Sequence, residues 1–160
     1  MYKSQADAIK DWLKAYQQNE LHIDQQLEKL RTLRARMTSI AAQEITDMPR
    51  APSSPKDRMS EYMVRVDELE RSIKMCIEIQ DFCKATLQEL IKKLESPKQR
   101  KIIKLRYLYG MEWSDVTREC YKDKPDYDVK LQAYQKRVYR DHERALLEMA
   151  RKWSSVQKRS

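Results

Sequence analysis

The sequence predicts an all-α protein: a long antiparallel helical hairpin, coiled-coil-like, followed by a smaller domain of shorter helices. Three observations lead there. Among 160 residues only Gly110 is a glycine, where average usage of about 7% would supply roughly eleven. Strand formers are thin, with a single Phe, while Lys, Arg, Glu, Gln, Leu, Ala and Met dominate. Apolar residues recur over long stretches at alternating steps of four and three, the helical period. The glycine scarcity also excludes function classes. Phosphate-cradling loops, dinucleotide fingerprints and nucleophile elbows all need glycine where the backbone turns tightly or meets a ligand.

The first helix is predicted from the stripe Ile9, Leu13, Tyr16, Glu20, Ile23, Leu27, Leu30, Arg34, Met37, Ala41, with Ser4 and Asp7 spaced as a capping box. Asp47–Pro55 holds three prolines, so no helix passes through it and the chain turns there. Ser54 then caps a second helix with Pro55 at its first position. Its stripe runs Met59, Tyr62, Val66, Leu69, Ile73, Cys76, Gln80, Cys83, Leu87, Leu90, Leu94. At 1.5 Å per residue each helix spans roughly 60 Å. Polar interruptions at Glu20, Arg34 and Gln80 either fix register or mark where a partner packs. Apolar residues flanking both seams (Trp12, Leu21, Leu33, Ile40, Met63, Ile77, Ile79, Ile91) widen the stripes beyond a two-helix contact. Homodimerisation through residues 1–95 is the expectation, as in a four-helix bundle. The alternative is a monomer whose hairpin folds against the C-terminal helices.

Ser96-Pro97-Lys98-Gln99 is a sharp helix start. The third helix runs to Tyr109, with Gly110 placed as its C′ residue. A short helix, Trp113–Glu119, follows; then a polar segment, Lys122–Asp128; then a long helix from about Val129 to Trp153. Short helix, connection and longer basic helix is the order of a helix-turn-helix. The domains are therefore drawn as a hairpin over 1–95, a helix-turn-helix domain over 96–153, and a tail over 154–160.

Charge divides the chain at the same place. The whole carries 33 Lys+Arg against 25 Asp+Glu, net +8; residues 1–95 hold 16 of each sign, so the entire excess lies in the last 65 residues. One half is thus suited to a polyanion and the other to something else. The longest uncharged run, Met37–Gln43, has seven residues, far short of the ~20 a membrane helix needs, and no apolar signal core follows Met1. Cys76 and Cys83, seven apart on one helix face, read as buried thiols of a reducing cytoplasm. With Cys120 and the histidines His22 and His142 they offer no metal spacing. No nucleophile–base arrangement occurs and paired carboxylates such as Glu68 and Glu70 fall on different helix faces, so the expectation is a non-enzyme without metal or cofactor.

The stretch Leu105-Arg-Tyr-Leu-Tyr-Gly-Met-Glu-Trp-Ser-Asp-Val116 resembles the first half of the helix-turn-helix in region four of bacterial sigma factors. Val138, Ala145, Leu146 and Met149 resemble the apolar positions of that family's recognition helix. Together with the hairpin, the chain resembles phage late-gene transcriptional regulators of the RinA and ArpU kind. It departs from the pattern at Thr117, where Ala is usual, at Glu112, where Ser or Thr caps, and in a longer connection over 120–131 containing Pro125. By position in the motif, the resemblance makes Gln135, Lys136, Tyr139 and Arg140 candidate base readers. Arg137, Arg144 and Lys130 become candidate phosphate clamps, and Lys98, Arg100, Lys101 and Lys104 could add backbone contacts. His142 reads as a satisfied core histidine, and Trp113 and Trp153 as core anchors.

The expected function is a sequence-specific regulator that binds double-stranded DNA and activates phage genes in the cytoplasm of a bacterial host cell. Two alternatives stand beside it. One is a coiled-coil adaptor contacting RNA polymerase; the other is a small-terminase-like packaging protein. A stand-alone sigma factor does not fit, because the neutral heptad half leaves no room for a promoter-melting domain.

Overall fold

A computed structural model describes residues 2–43 and 55–157, with side chains over 5–42 and 57–157. The predicted proline turn, the Ser54 cap and the end of the tail lie outside the described residues, whereas the predicted cap at Ser4 is not the helix start, because α1 already runs from Tyr2. Within them the chain has five α-helices and no strand: α1 (Tyr2–Gln43), α2 (Pro55–Lys93), α3 (Pro97–Ile103), α4 (Trp113–Tyr121) and α5 (Leu131–Gln157). The first two form the antiparallel hairpin. Asn19 Nδ2 donates to Gln80 Oε1 at 2.8 Å, and Arg34 pairs with Glu70 fifteen residues further along α1 and ten back along α2. Packing divides the chain into two compact units, one drawn from Met1–Gln17 with Phe82–Ser160 and the other Gln18–Asp81.

In Gln18–Asp81 the two helices meet along a narrow seam. From α1 it buries Ile23, Leu30, Leu33 and Ile40, and from α2 Ile73 and Gln80. Tyr62, Val66, Leu69 and Cys76 are half-buried, so the α2 stripe lies on the face its sequence predicts. On α1 the stripe departs from the strict heptad: Glu20, Leu27, Arg34 and Ala41 are exposed and Leu33 and Ile40 take the inside. A straight α-helix drifts about 20° per heptad, so a contact line cannot follow a seven-residue repeat without supercoiling. Of the predicted polar interruptions, Gln80 is buried and bonded to Asn19, whereas Arg34 is an exposed ion-pair partner of Glu70. Leu21, Met63, Ile77 and Ile79, expected to widen the seam, are exposed.

The other unit is a three-sided core. Ala6, Ile9, Leu13 and Tyr16 of α1 and Leu87, Leu90, Ile91 of α2 close on Ile103, Tyr107, Ala145, Leu146 and Met149. Leu13, Leu87, Leu90 and Leu146 are wholly excluded from water, each worth about 1.5–3 kcal/mol of burial. A second cluster, Ile102, Val116, Tyr121, Tyr134 and Val138, joins α3, α4 and α5.

Local rules explain the element ends. Ser96 Oγ accepts from Gln99 N at 3.3 Å with Pro97 in the first turn, the predicted cap. The helix does not continue as α to Tyr109: Lys104–Leu108 is a π-helical turn, closed by Tyr109 N donating to Lys104 O. Gly110, at φ +66, supplies the left-handed residue that ends it. Glu112 precedes α4 without a side-chain cap, and the Thr117 hydroxyl, where Ala is usual, bonds back to Trp113 O at 2.8 Å. Between α4 and α5, successive turns run Lys124 N to Tyr121 O, Tyr127 N to Lys124 O and Lys130 N to Asp126 O. α5 begins at Leu131, two residues later than predicted, and runs four residues past Trp153 into the predicted tail.

Candidate nucleic-acid interface

The inner face of α5 is fixed by Tyr134, Val138, His142, Ala145, Leu146 and Met149, all buried. These lie at steps of four and three, so the residues between them are forced outward. Lys136, Arg140 and Arg144, spaced by four, form one exposed line on the opposite side. None of the three makes an ion pair with a carboxylate among the described residues. Arg137, also exposed, lays its guanidinium over the Tyr134 ring at 5.3 Å. Gln135 and Tyr139 sit on the flank of this line: Gln135 is half-buried, and Tyr139, 46% exposed, meets Trp113 edge-on at 5.2 Å. Lys130 precedes the helix and pairs with Asp126 at 3.3 Å. The structure thus brings Lys136, Arg137, Arg140 and Arg144 together and sets Gln135, Tyr139 and Lys130 at the edges.

On α3, Lys98 pairs with Asp141 at 3.8 Å and lies over the Tyr121 ring at 4.3 Å, while Lys101 donates to Glu119 O. Arg100 turns back onto the carbonyls of Leu94 and Glu95, satisfying the end of α2. Lys104, which opens the π turn after this helix, makes no such contact among the described residues.

Two aromatic groups position the helices, and the sequence reading found only part of them. Trp113 is the hub of the first. His142 abuts it at 4.7 Å, Tyr139 packs on it, and Arg106 stacks on it at 4.7 Å while donating to Met111 O at 2.8 Å. Tyr107, turned inward by the π turn, shares a 2.7 Å hydrogen bond with His142 Nε2. The Arg106 carbonyl accepts from Gln17 Nε2 at 3.0 Å. His142 is therefore a buried, bonded core residue, as its place on the apolar stripe suggests. Burial first, then the nearby Lys10 and Arg106 charges, pull its pKa down to about 4. Burial likewise pushes the Tyr107 phenol up to about 12.

In the second group Tyr134 stacks between Tyr121 at 4.5 Å and Tyr127 at 6.3 Å, and donates its hydroxyl to Asp126 Oδ1 at 2.5 Å. That bond holds Asp126 below the usual carboxylate range and Tyr134 above the usual phenol range. It ties the 122–130 connection to α5. Tyr127 and Tyr134, seven apart, were the available signal.

The cysteines are half-buried and free. Burial pushes the Cys120 and Cys83 thiols up, which suits inert packing residues and not nucleophiles. Among the described residues no helix is long and apolar enough to cross a membrane, and no group of three potential metal ligands converges. Compared with family models, curated proteins and solved structures, the chain matches none.

Proposed function

We propose that the chain is a sequence-specific transcriptional regulator that binds double-stranded DNA and activates phage genes in the bacterial cytoplasm. In this reading α4 and α5 are a helix-turn-helix pair, and α5 enters the major groove. The observation that carries it is the exposed line Lys136, Arg140 and Arg144, without acidic partners among the described residues, on a helix whose other face is buried. A cation already neutralised by a carboxylate has little left for phosphate; these three are free to release counterions from a duplex.

Within that face the roles divide. Arg140 lies at the centre of the outward line, where two parallel donors can meet a guanine. Lys136 and the flanking Gln135 and Tyr139 complete the reading edge, and Arg137 and Arg144 hold phosphates, while Lys130, already paired with Asp126, contributes least. Trp113 sets the angle of the reading helix, because Tyr139, His142 and Arg106 all bear on it. Two copies joined through residues 1–95 would read a two-fold site, and contact with host RNA polymerase would convert binding into activation.

Selection of bound fragments from host and phage genomic DNA, followed by footprinting, tests the reading. A bounded protected site upstream of a gene is the expected result. Uniform or absent protection overturns it and favours the adaptor reading.

A further inference from the structure

Within the unit built from Met1–Gln17 and Phe82–Ser160, a cleft of about 600 Å³ opens where the end of α2 meets α3 and the π turn. That volume is ordinary for a small-molecule site. Its floor is apolar, formed by buried Ile91 and half-buried Leu108, and the charged residues that line it are all cations: Lys92, Arg100 and Lys104. The groove beside Trp12 and the cleft beside Leu33 differ, for each includes a carboxylate, Glu89 in one and Glu68 in the other. Arg100 donates to the carbonyls of Leu94 and Glu95 at 2.5 and 3.2 Å, neutral acceptors that fix the guanidinium and leave its charge uncompensated. Lys92 meets Glu89 at 3.2 Å in an exposed pair that is worth little, and Lys104 makes no ion pair among the described residues. Tyr109, 70% exposed, completes the lining.

The π turn is what places Tyr109 there. Lys104 N donates to Arg100 O, one α-helical turn back, and Tyr109 N donates to Lys104 O across the wider turn. A π turn bonds residue i to i+5, whereas in a regular α-helix Tyr109 would sit about 140° around the axis from Lys104. Arg100, Lys104 and Tyr109 thereby line one cleft.

We propose that this cleft binds a free nucleoside polyphosphate, with its base stacked on the Tyr109 ring and its phosphates held by Lys104, Arg100 and Lys92. Like charges gathered in a concave, partly apolar wall focus their field on a small polyanion. An exposed aromatic ring beside them offers its face to any base, so the site discriminates by polyphosphate charge more than by base identity. A nucleic-acid strand carries a single charge per nucleotide and would spread it beyond the cleft. A polyphosphate instead concentrates several charges on one nucleotide, which is what clustered cations match. The site shares no residue with the line Lys136, Arg140 and Arg144 and stands independently of the regulator reading.

Isothermal titration calorimetry of the full chain with ATP and with GTP, in magnesium-free, low-salt buffer, tests it. Both should bind with a Kd of about 10–100 μM, and adenosine or tripolyphosphate alone should bind at least ~10-fold more weakly. Tyr109→Ala and Lys104→Glu should each weaken ATP about tenfold, while Tyr109→Phe should bind as the wild type does. Tyr109 and Lys104 are exposed, so thermal unfolding of these variants should be unchanged; Arg100 is left intact because it closes the end of α2. Arg140→Ala, on α5, should bind ATP like the wild type. No saturable binding below about 1 mM, equal affinity for tripolyphosphate, or full affinity in Tyr109→Ala overturns the site. A single-stranded oligonucleotide that binds more tightly than ATP and is weakened by Tyr109→Ala overturns the free nucleotide in favour of a strand.

Discussion

The two packing units bury their apolar residues to different depths. In Gln18–Asp81 two helices share one seam, and most of the α2 stripe stays half-buried. In the other unit the same two helices meet α3 and α5, and Leu13, Leu87, Leu90, Leu94, Leu146 and Met149 are sealed from water. The sequences of the two stretches have similar stripes; the number of neighbours differs. Two cylinders touch along a line, whereas additional packed helices enclose a volume, so the stripe width that is wasted in one place is consumed in the other.

The largest expected effect sharpens this contrast directly. Leu90→Ala should cost about 3–5 kcal/mol, since a sealed site cannot relax into the cavity. Leu69→Ala, on the half-buried seam, should cost only ~1–2 kcal/mol. Urea denaturation of both variants checks it, and equal costs would break the comparison.

The next effect comes from His142, buried in the enclosed unit. Its folded pKa of about 4 lies below the ordinary histidine value, so the folded state refuses a proton that the unfolded chain accepts. Stability is full above pH ~6.5 and is lost as pH falls from there to about 4, by on the order of 3 kcal/mol. His142→Gln should flatten the pH dependence over that window. A wild-type profile already flat between pH 4 and 7 would contradict the assignment.

On the outer face of the same unit, Arg140→Ala should cost about 1–3 kcal/mol on the specific DNA site and much less on random DNA. Arg144→Ala should weaken both by similar factors. Isotherms on the two DNAs separate reading from clamping; equal losses for Arg140→Ala would make it a clamp.

The smallest effect lies on the seam. Gln80→Ala removes the acceptor of Asn19 and should cost about 1–2 kcal/mol, while the pair Asn19→Leu with Gln80→Leu should recover most of it. Thermal unfolding of the two variants beside the wild type is sufficient.

Most of the fold was legible because periodicity and breakers report local rules. The second stripe, the Ser96-Pro97 start and the Gly110 stop follow from spacing and backbone chemistry alone. The slide of the α1 seam from Leu27 and Arg34 to Leu33 and Ile40 was not legible, because it depends on which neighbours each stretch of α1 meets. The π turn was hidden for a similar reason: it turns Tyr107 toward His142, a partner thirty-five residues away. At the candidate site the outward line of Lys136, Arg140 and Arg144 follows from four-residue spacing. The Trp113 hub does not, since Arg106 of the π turn and Tyr139 and His142 of α5 converge on it from two other elements.

The proposed regulator role requires α5 to present Lys136, Arg140 and Arg144 to a duplex. The most direct measurement is the salt dependence of binding to the selected DNA site, for the wild type and for the triple variant Lys136→Ala, Arg140→Ala, Arg144→Ala. The wild type should give a slope of log K against log salt near −5 to −6, for about six phosphates neutralised. The triple variant, unchanged in thermal stability because all three side chains are exposed, should lose roughly three from that slope and most of its site preference. An undiminished slope in the variant would contradict the account and move the DNA-binding face elsewhere on the molecule.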